Sequence, residues 1–341
     1  MNRESFKNKP TLFAASGLYL LAAMGLWLML LFSGELAALL PGLSQEGLTL
    51  LANAAYYVPF LILPVCLYAK KRGGAQQMLR LNPVSFGNML CASAVALLSL
   101  AVVQSMTTLW MILCQRMGLD VFQDAYVRPA NTAELTLSVI AAAIVAPIGE
   151  ELLFRGAMFS AWERRGRGRA ILAVSVMFAM LHGSVLGLPG ELFGGILMAQ
   201  LVLWTDSLYA GLAFHSVFNA GGVMLNYLSS AAADPAADAL METDILAYLG
   251  GGSTVLMLIL DIFLTMLLIR LLTNRMRMRY TFRRLLLAAE REGKPVSPRE
   301  LLRAEEAPPE PVTVSAALVL LAGAVSALGL YLFDIISMLG G

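Results

Sequence analysis

Apolar residues run along this chain in long unbroken blocks, not in the spaced stripes of an amphipathic core helix or the alternation of a half-buried strand. Nine blocks approach the roughly 20 residues that a helix needs to cross a bilayer. They lie at 11–33, 49–69, 86–113, 134–160, 169–184, 189–204, 207–228, 252–273 and 312–338. The fifth and sixth are short, and either can be a buried helix that does not cross fully. The pattern predicts an all-α polytopic membrane protein of about eight or nine transmembrane helices. The first block, at about 23 residues, is too long for a signal-peptide core of roughly 7–15 and is expected to be a retained helix.

The positions of Lys and Arg test the count. With the loops numbered alternately from a cytoplasmic N-terminus, one side collects Arg3, Lys7 and Lys9, then Lys70, Lys71, Arg72 and Arg80, then Arg164, Arg165, Arg167 and Arg169. The same side takes the basic run after the eighth block, including Arg275, Arg277, Arg279, Arg283 and Arg284. The other side collects only Arg116 and Arg128, and Arg155 falls within the fourth block. The positive-inside rule therefore favours nine passes with the N-terminus cytoplasmic. The 229–251 loop, with Asp234, Asp238, Glu242 and Asp244 and no Lys or Arg, suits the outer side.

Composition agrees. Of 341 residues, 58% are hydrophobic and 14% charged, and the mean hydropathy is +0.73, far from an ordinary soluble domain. A net charge of +1 gives no reason to expect a nucleic-acid partner; the lipid bilayer is the partner implied. Cys66, Cys91 and Cys114 sit in apolar blocks without metal-type spacing and read as small packing residues. Gly190 and Gly194 have the small-xxx-small spacing that lets two helices approach. Within the segment 274–311, NRMRMRYTFRRLLLAAEREG is a basic helix leaving the eighth block, suited to lie against anionic lipid, and the segment can equally be a solvated connector. The helix is followed by a second helix start at Ser297, Pro298 and Glu300 and then a linker.

The chemistry lies inside the blocks. The stretch APIGEELLFRGAMF places Glu150, Glu151 and Arg155 in the fourth one. Each such charge costs about 2.5–3.5 kcal/mol at a bilayer centre on insertion scales, which marks the position as functional. Glu151 and Arg155, four apart, share a helix face and can pair. Glu150 is rotated about 100° away and must face something else. The chain has two histidines, and both fall within blocks: His182 in the fifth and His215 in the seventh, with Asn219 one turn beyond His215. At 1.5 Å per residue, Glu150, His182 and His215 lie ~15, ~20 and ~12 Å from the cytoplasmic ends of their helices. One carboxylate, two imidazoles and an amide can therefore converge. Such a set can activate water and hold an oxyanion. Two Glu and two His can also bind a metal, although the spacing is not HExxH. Asp261, mid-block in the eighth, can pair with Arg155, cap a backbone defect or line the cavity, and a structural role is expected before a catalytic one. Asp334 is expected to reach the outer interface.

Three motifs carry a family resemblance. EELLFR (Glu150, Glu151, Arg155) resembles the EExxxR motif of the CPBP family, the CaaX proteases and bacteriocin-processing enzymes also called Abi. FAMLH (Phe178, His182) resembles its FxxxH motif, and HSVFN (His215, Asn219) its HxxxN motif. All three occur in order within the four blocks from 134 to 228. The resemblance implies an intramembrane glutamic endopeptidase with no metal and no other cofactor. In it, Glu150 and His182 activate water, His215 and Asn219 hold the oxyanion, and Glu151, Arg155 and Phe178 support them. It also implies a division into N-terminal helices at 1–133, a four-helix catalytic core at 134–228, and C-terminal helices with the basic segment at 229–341. The substrate expected is a peptide or a membrane protein, in a bacterial plasma membrane. A prenylated CaaX substrate would require a host that prenylates. A non-proteolytic scaffold or immunity factor of the same family, a metal-dependent membrane hydrolase and a proton-coupled transporter remain as alternatives. Neither the substrate's identity nor the oligomeric state is written in the residues.

Overall fold

The structure, a computed structural model, describes residues 10–121, 129, 131–231, 244–292 and 313–339. Among these residues every regular element is a helix, as a bilayer demands of a single chain without a closed barrel. In chain order the helices are α1 (Leu12–Leu39), α2 (Gln45–Tyr57), α3 (Leu63–Lys71), α4 (Ala75–Met78) and α5 (Phe86–Arg116). Next come α6 (Thr132–Ile140), α7 (Ala146–Glu151), α8 (Phe159–Trp162), α9 (Arg167–His182) and α10 (Leu188–Thr205). The last are α11 (Leu208–Ala231), α12 (Ile245–Tyr248), α13 (Gly252–Glu292) and α14 (Val314–Leu339). Three π-helical turns interrupt the series: Val58–Ile62 joins α2 to α3, Ala141–Val145 joins α6 to α7, and Leu152–Met158 joins α7 to α8.

Eight helical stretches among the described residues are long and apolar enough to cross a membrane. The expected block at 169–184 is not one of them. It forms α9, whose 16 residues rise only ~24 Å, and it stops at Gly183 in a left-handed turn. Yet α9 joins the two ends of the bundle. Its start is tied to Glu163 through Arg167 at 3.3 Å, and the turn that follows it receives the Trp110 indole N–H on the Val185 carbonyl at 2.8 Å, near the far end of α5. The packing of α14 on α1 agrees. Gly323 lies on Tyr19, and Gly329 lies on Trp27, whose indole donates to the Ser326 carbonyl at 3.0 Å. Residue numbers rise together on both helices, so α1 and α14 are parallel. Parallel first and last helices agree with the expected odd count, in which α9 would be a short ninth pass.

Small residues set the closest approaches. Gly195, not Gly194, is the tight one: a Cβ there would come within 3.2 Å of the Ser175 Cα, so α10 packs backbone-close on α9. Gly190 meets Val103 of α5, whereas Gly194 has only the Met198 methyl at 3.9 Å. Cys66 is exposed on the outer surface, Cys114 is buried, and all three cysteines are free thiols. Helix α13 continues without a break past its apolar part, 41 residues in all, and carries the basic run outward. The expected helix start at Ser297 lies outside the described residues, as do Asp234, Asp238 and Glu242.

One polar knot fastens the basic end. Arg80 is buried and donates to Asp206 at 2.7 Å and to Glu163 at 2.6 Å. It therefore ties the α4–α5 connection to the turn after α8 and to the α10–α11 turn. Its carbonyl accepts from the Leu208 N–H at 2.9 Å, and the Ser207 hydroxyl donates to the Asn82 carbonyl at 2.6 Å. These bonds hold Arg80 at a φ of +52°, which a side-chain-bearing residue adopts only when its surroundings over-determine it. Replacing Arg80 by Ala leaves the buried Glu163 with Arg167 alone and is expected to destabilise the fold by about 2 kcal/mol. Thermal unfolding in detergent checks this, with Arg279→Ala on the exposed end of α13 expected to have no effect.

Candidate active site

The candidate site is built where the helix through the fourth pass departs from α geometry. Before Pro147 the chain widens into the π turn Ala141–Val145, and the Ala146 N–H reaches back five residues to the Ala141 carbonyl. The next carbonyl in that series belongs to Ala142, and Pro147 has no N–H to give it. The Asn219 side-chain amide donates there instead, at 2.7 Å. A second π turn, Leu152–Met158, follows Glu151 and carries Arg155. Single-turn π insertions concentrate at functional sites because they re-aim side chains without ending the helix.

Glu151 and Arg155 form the expected pair at 2.7 Å, both with side chains 0% exposed. The pair is surrounded. The His215 Nδ1–H donates to Glu151 Oε1 at 3.1 Å, the guanidinium also donates to the Gly195 carbonyl at 3.3 Å, and it lies 4.3 Å from the Phe178 ring centroid. Phe178 is the floor of the site. Its ring packs edge-on against His182 at 4.6 Å and His215 at 5.8 Å, and Phe154 meets it from the other side at 5.3 Å.

Glu150 faces away from that pair, as its rotation on the helix demands. Its Oε1 accepts from the Tyr57 hydroxyl at 2.6 Å. Its Oε2 is buried, has no protein hydrogen-bond partner, and faces the Nε2 atoms of His215 at 3.5 Å and His182 at 3.9 Å. The tautomers follow from chemistry. His182 Nδ1 is 2.9 Å from the Phe178 carbonyl, which can only accept, so Nδ1 carries the proton there. His215 Nδ1 likewise donates to a carboxylate. In neutral rings both Nε2 atoms are then acceptors, and with Glu150 Oε2 three lone pairs converge. Such a set calls for a shared proton or a small donor between its members.

The structure brings together Glu150, His182, His215 and Phe178, with Glu151 and Arg155 behind them. It places Asn219 one turn along α11, with its amide already on the Ala142 carbonyl. Asp261 does not pair with Arg155. It accepts from Ser105 of α5 at 2.7 Å and from Thr265 at 3.3 Å, joining α13 to α5. Asp334, near the end of α14, has a partner within the protein. Its carboxylate accepts from the Val185 N–H at 2.6 Å, just past His182. Tyr331, one turn earlier on α14, donates to the Ala179 carbonyl at 2.8 Å, and Leu330 covers Gly183. The last helix thus clamps the turn that ends at His182. Neither that clamp nor Tyr57 has a signal in the sequence, since a Tyr or Asp in an apolar helix does not announce its partner.

Residues 132–221 match the type II CAAX prenyl endopeptidase Rce1-like family. The match lies in the CPBP family that the motifs resemble. It spans about a quarter of the chain and takes in all seven motif residues, from Glu150 to Asn219. Tyr57, Arg80, Tyr331 and Asp334 lie outside it. Neither a curated protein nor a solved structure matches the chain. The matched segment is similar to a family of CAAX-type intramembrane proteases, and it lies in a multi-pass membrane protein.

The buried pair carries a testable consequence. Arg155→Met leaves Glu151 as an uncompensated buried charge and is expected to destabilise the protein by about 3–5 kcal/mol. Adding Glu151→Gln removes that charge and should recover part of the loss. Unfolding midpoints of the two single variants and the double, in one detergent, read the coupling; strict additivity would contradict it.

Proposed function

We propose that the protein is an intramembrane endopeptidase that cleaves a peptide bond with water activated by Glu150 and His182. The observation that carries this reading is the convergence of the Glu150 Oε2 with the Nε2 atoms of both histidines, within 3.9 Å. A water held between Glu150 and His182 gives a proton to the carboxylate as its oxygen bonds to the substrate carbonyl carbon. The carbonyl electron pair moves onto oxygen. When that pair returns, the carbon–nitrogen bond breaks and the proton on Glu150 passes to the leaving amine. Products are a carboxylic acid and an amine, and the carboxylate is restored.

The oxyanion falls to His215 and Asn219. Glu151, on Nδ1, orients the His215 ring so that Nε2 faces the reacting atoms and donates there when it carries a proton. Asn219 keeps one amide hydrogen beyond the one given to Ala142. A helical core at 134–228 holds this machinery, and the flanking helices complete it. The basic end is read as cytoplasmic, with the N-terminus there, in a bacterial plasma membrane. The substrate is a peptide or a membrane-protein segment entering from that side or from lipid.

The rival reading is a non-proteolytic scaffold or immunity factor of the same family, and the engaged Asn219 amide is the observation in its favour. A metal-dependent hydrolase is the second rival. Among the described residues no group of three or more His, Cys, Asp or Glu is arranged to hold a metal ion. Proteolysis that persists in chelator, with stoichiometric metal absent from the purified protein, would set that rival aside.

Glu150→Gln and His182→Ala are each expected to lower cleavage by at least about 100-fold while the protein inserts and folds. A survey of protein N-termini in membranes and medium checks this, comparing cells that carry wild type or Glu150→Gln at matched abundance. N-termini that appear only with wild type give substrates and cut sites, and show whether the substrates end in a prenylated motif. Identical sets, where deletion of the gene has a phenotype, would favour the scaffold.

A further inference from the structure

The candidate general base is held by a residue that lies outside the Rce1-like segment. Tyr57 is the last residue of α2, at the lip of the π turn Val58–Ile62. That turn contains Pro59, and it swings the end of α2 against α7. Two features bring the phenol to Glu150. Gly149, the residue before Glu150, has no side chain, and a Cβ there would lie 2.8 Å from the Tyr57 ring and 3.3 Å from its Cβ. Tyr56 packs against Tyr57 with ring centroids 4.8 Å apart and backs the ring from its own helix. The hydroxyl then donates to Glu150 Oε1 at 2.6 Å, a short bond of the kind a charged acceptor makes.

We propose that Tyr57 is a positioning residue for catalysis, fixing the Glu150 carboxylate so that Oε2 alone is presented to the two imidazoles. The inference rests on the proteolytic reading above and deepens it. A carboxylate turns freely about its last bond, and without a fixed partner its two oxygens exchange. Tyr57 breaks that equivalence. With Oε1 engaged, Oε2 stays toward the Nε2 atoms of His182 and His215, where water is to be deprotonated. The phenol touches neither water nor substrate; it acts through Glu150, from a helix that the family match does not include. The placement also explains why Gly149 carries no side chain beside a residue as costly to bury as Glu150: any larger residue would push the phenol off the carboxylate.

The test has two readouts, one independent of cleavage. In the purified full-length protein, the infrared difference between Tyr57→Phe and wild type is expected to show a shifted carboxyl band. That band should vanish when the same comparison is made in a Glu150→Gln background. With a peptide substrate found in the N-terminal survey, Tyr57→Phe is expected to lower kcat by tenfold or more, with KM within twofold and an unchanged unfolding temperature. If Tyr57→Phe does not fold, Gly149→Ala displaces the phenol with its hydroxyl intact and should show the same band shift and the same fall in kcat. No Glu150-dependent band, or a wild-type kcat in Tyr57→Phe, overturns the proposal even where Glu150→Gln abolishes cleavage. A Glu150-dependent band in a wild-type protein that cleaves nothing overturns the proteolytic reading, and with it the catalytic role of Tyr57, while the hydrogen bond stands. A fall in kcat matched by a fall in unfolding temperature reduces Tyr57 to a packing residue and also overturns the proposal.

Discussion

The ion pair between Glu151 and Arg155 is the constraint that the rest of the interior obeys. Both side chains are fully buried, 2.7 Å apart. Burying an ion pair carries a desolvation penalty of several kcal/mol per charge, repaid only if the remaining lone pairs and protons are also engaged. The neighbours engage the pair in part, leaving Glu151 Oε2 and Arg155 Nε without a hydrogen-bond partner. His215 gives its Nδ1–H to Glu151, the Gly195 carbonyl takes a guanidinium hydrogen, and Phe178 lays its ring face beside the cation. Each partner comes from a different helix. Satisfying the pair therefore fixes α9, α10 and α11 around the fourth pass, and the positions of both histidines follow from that.

The polar groups reach one another through local breaks in helix geometry. In a straight α-helix Glu150 and Glu151 would be carried on a regular spiral with every backbone group bonded internally. Pro147 removes one donor, the π turn before it shifts the register, and Asn219 repairs the carbonyl left over. At the other histidine, Gly183 ends α9 in a left-handed turn, so His182 sits at a helix terminus whose last polar groups are taken by α14. Regular helices insulate the backbone from lipid. The turn that carries Arg155 is buried at every residue but Leu152, whereas the turns at 58–62 and 141–145 leave Val58 and Ile144 exposed; the site is assembled from these turns.

Much of this was legible in the residues. Long apolar blocks and the one-sided Lys and Arg distribution carry the helix count, and the i,i+4 spacing carries the Glu151–Arg155 pair. The weakest block, 169–184, forms the 16-residue α9, the one of the nine expected blocks that falls short of the length a span requires. The unread part is long-range. Asp261 could be seen as needing a partner, but Ser105, 156 positions away, has no charge to advertise itself. Asp334 sits near a helix end and reads as interfacial, yet it serves a backbone N–H in a distant turn. Tyr57 sits among apolar neighbours and looks like packing. Charge–charge pairs at helical spacing are visible in a sequence; a neutral donor meeting a charged acceptor across 93 positions is not.

The extent of the family match and the extent of the working unit differ. The Rce1-like segment ends at 221, but five contacts to it come from outside: Tyr57 on Glu150, Tyr331 on the Ala179 carbonyl, Asp334 on the Val185 N–H, and Arg80 on both Glu163 and Asp206. Each is a directional hydrogen bond or ion pair, and each touches a different part of the core. The helices of the matched segment do not meet all of their own buried polar groups, and in lipid no hydrophobic drive presses helices together. The flanking helices supply both the packing and the missing partners. Sequence change in those flanks can then alter how tightly Glu150 and His182 are held without touching either, which makes the flanks the natural place for proteins that share these motifs to differ in activity.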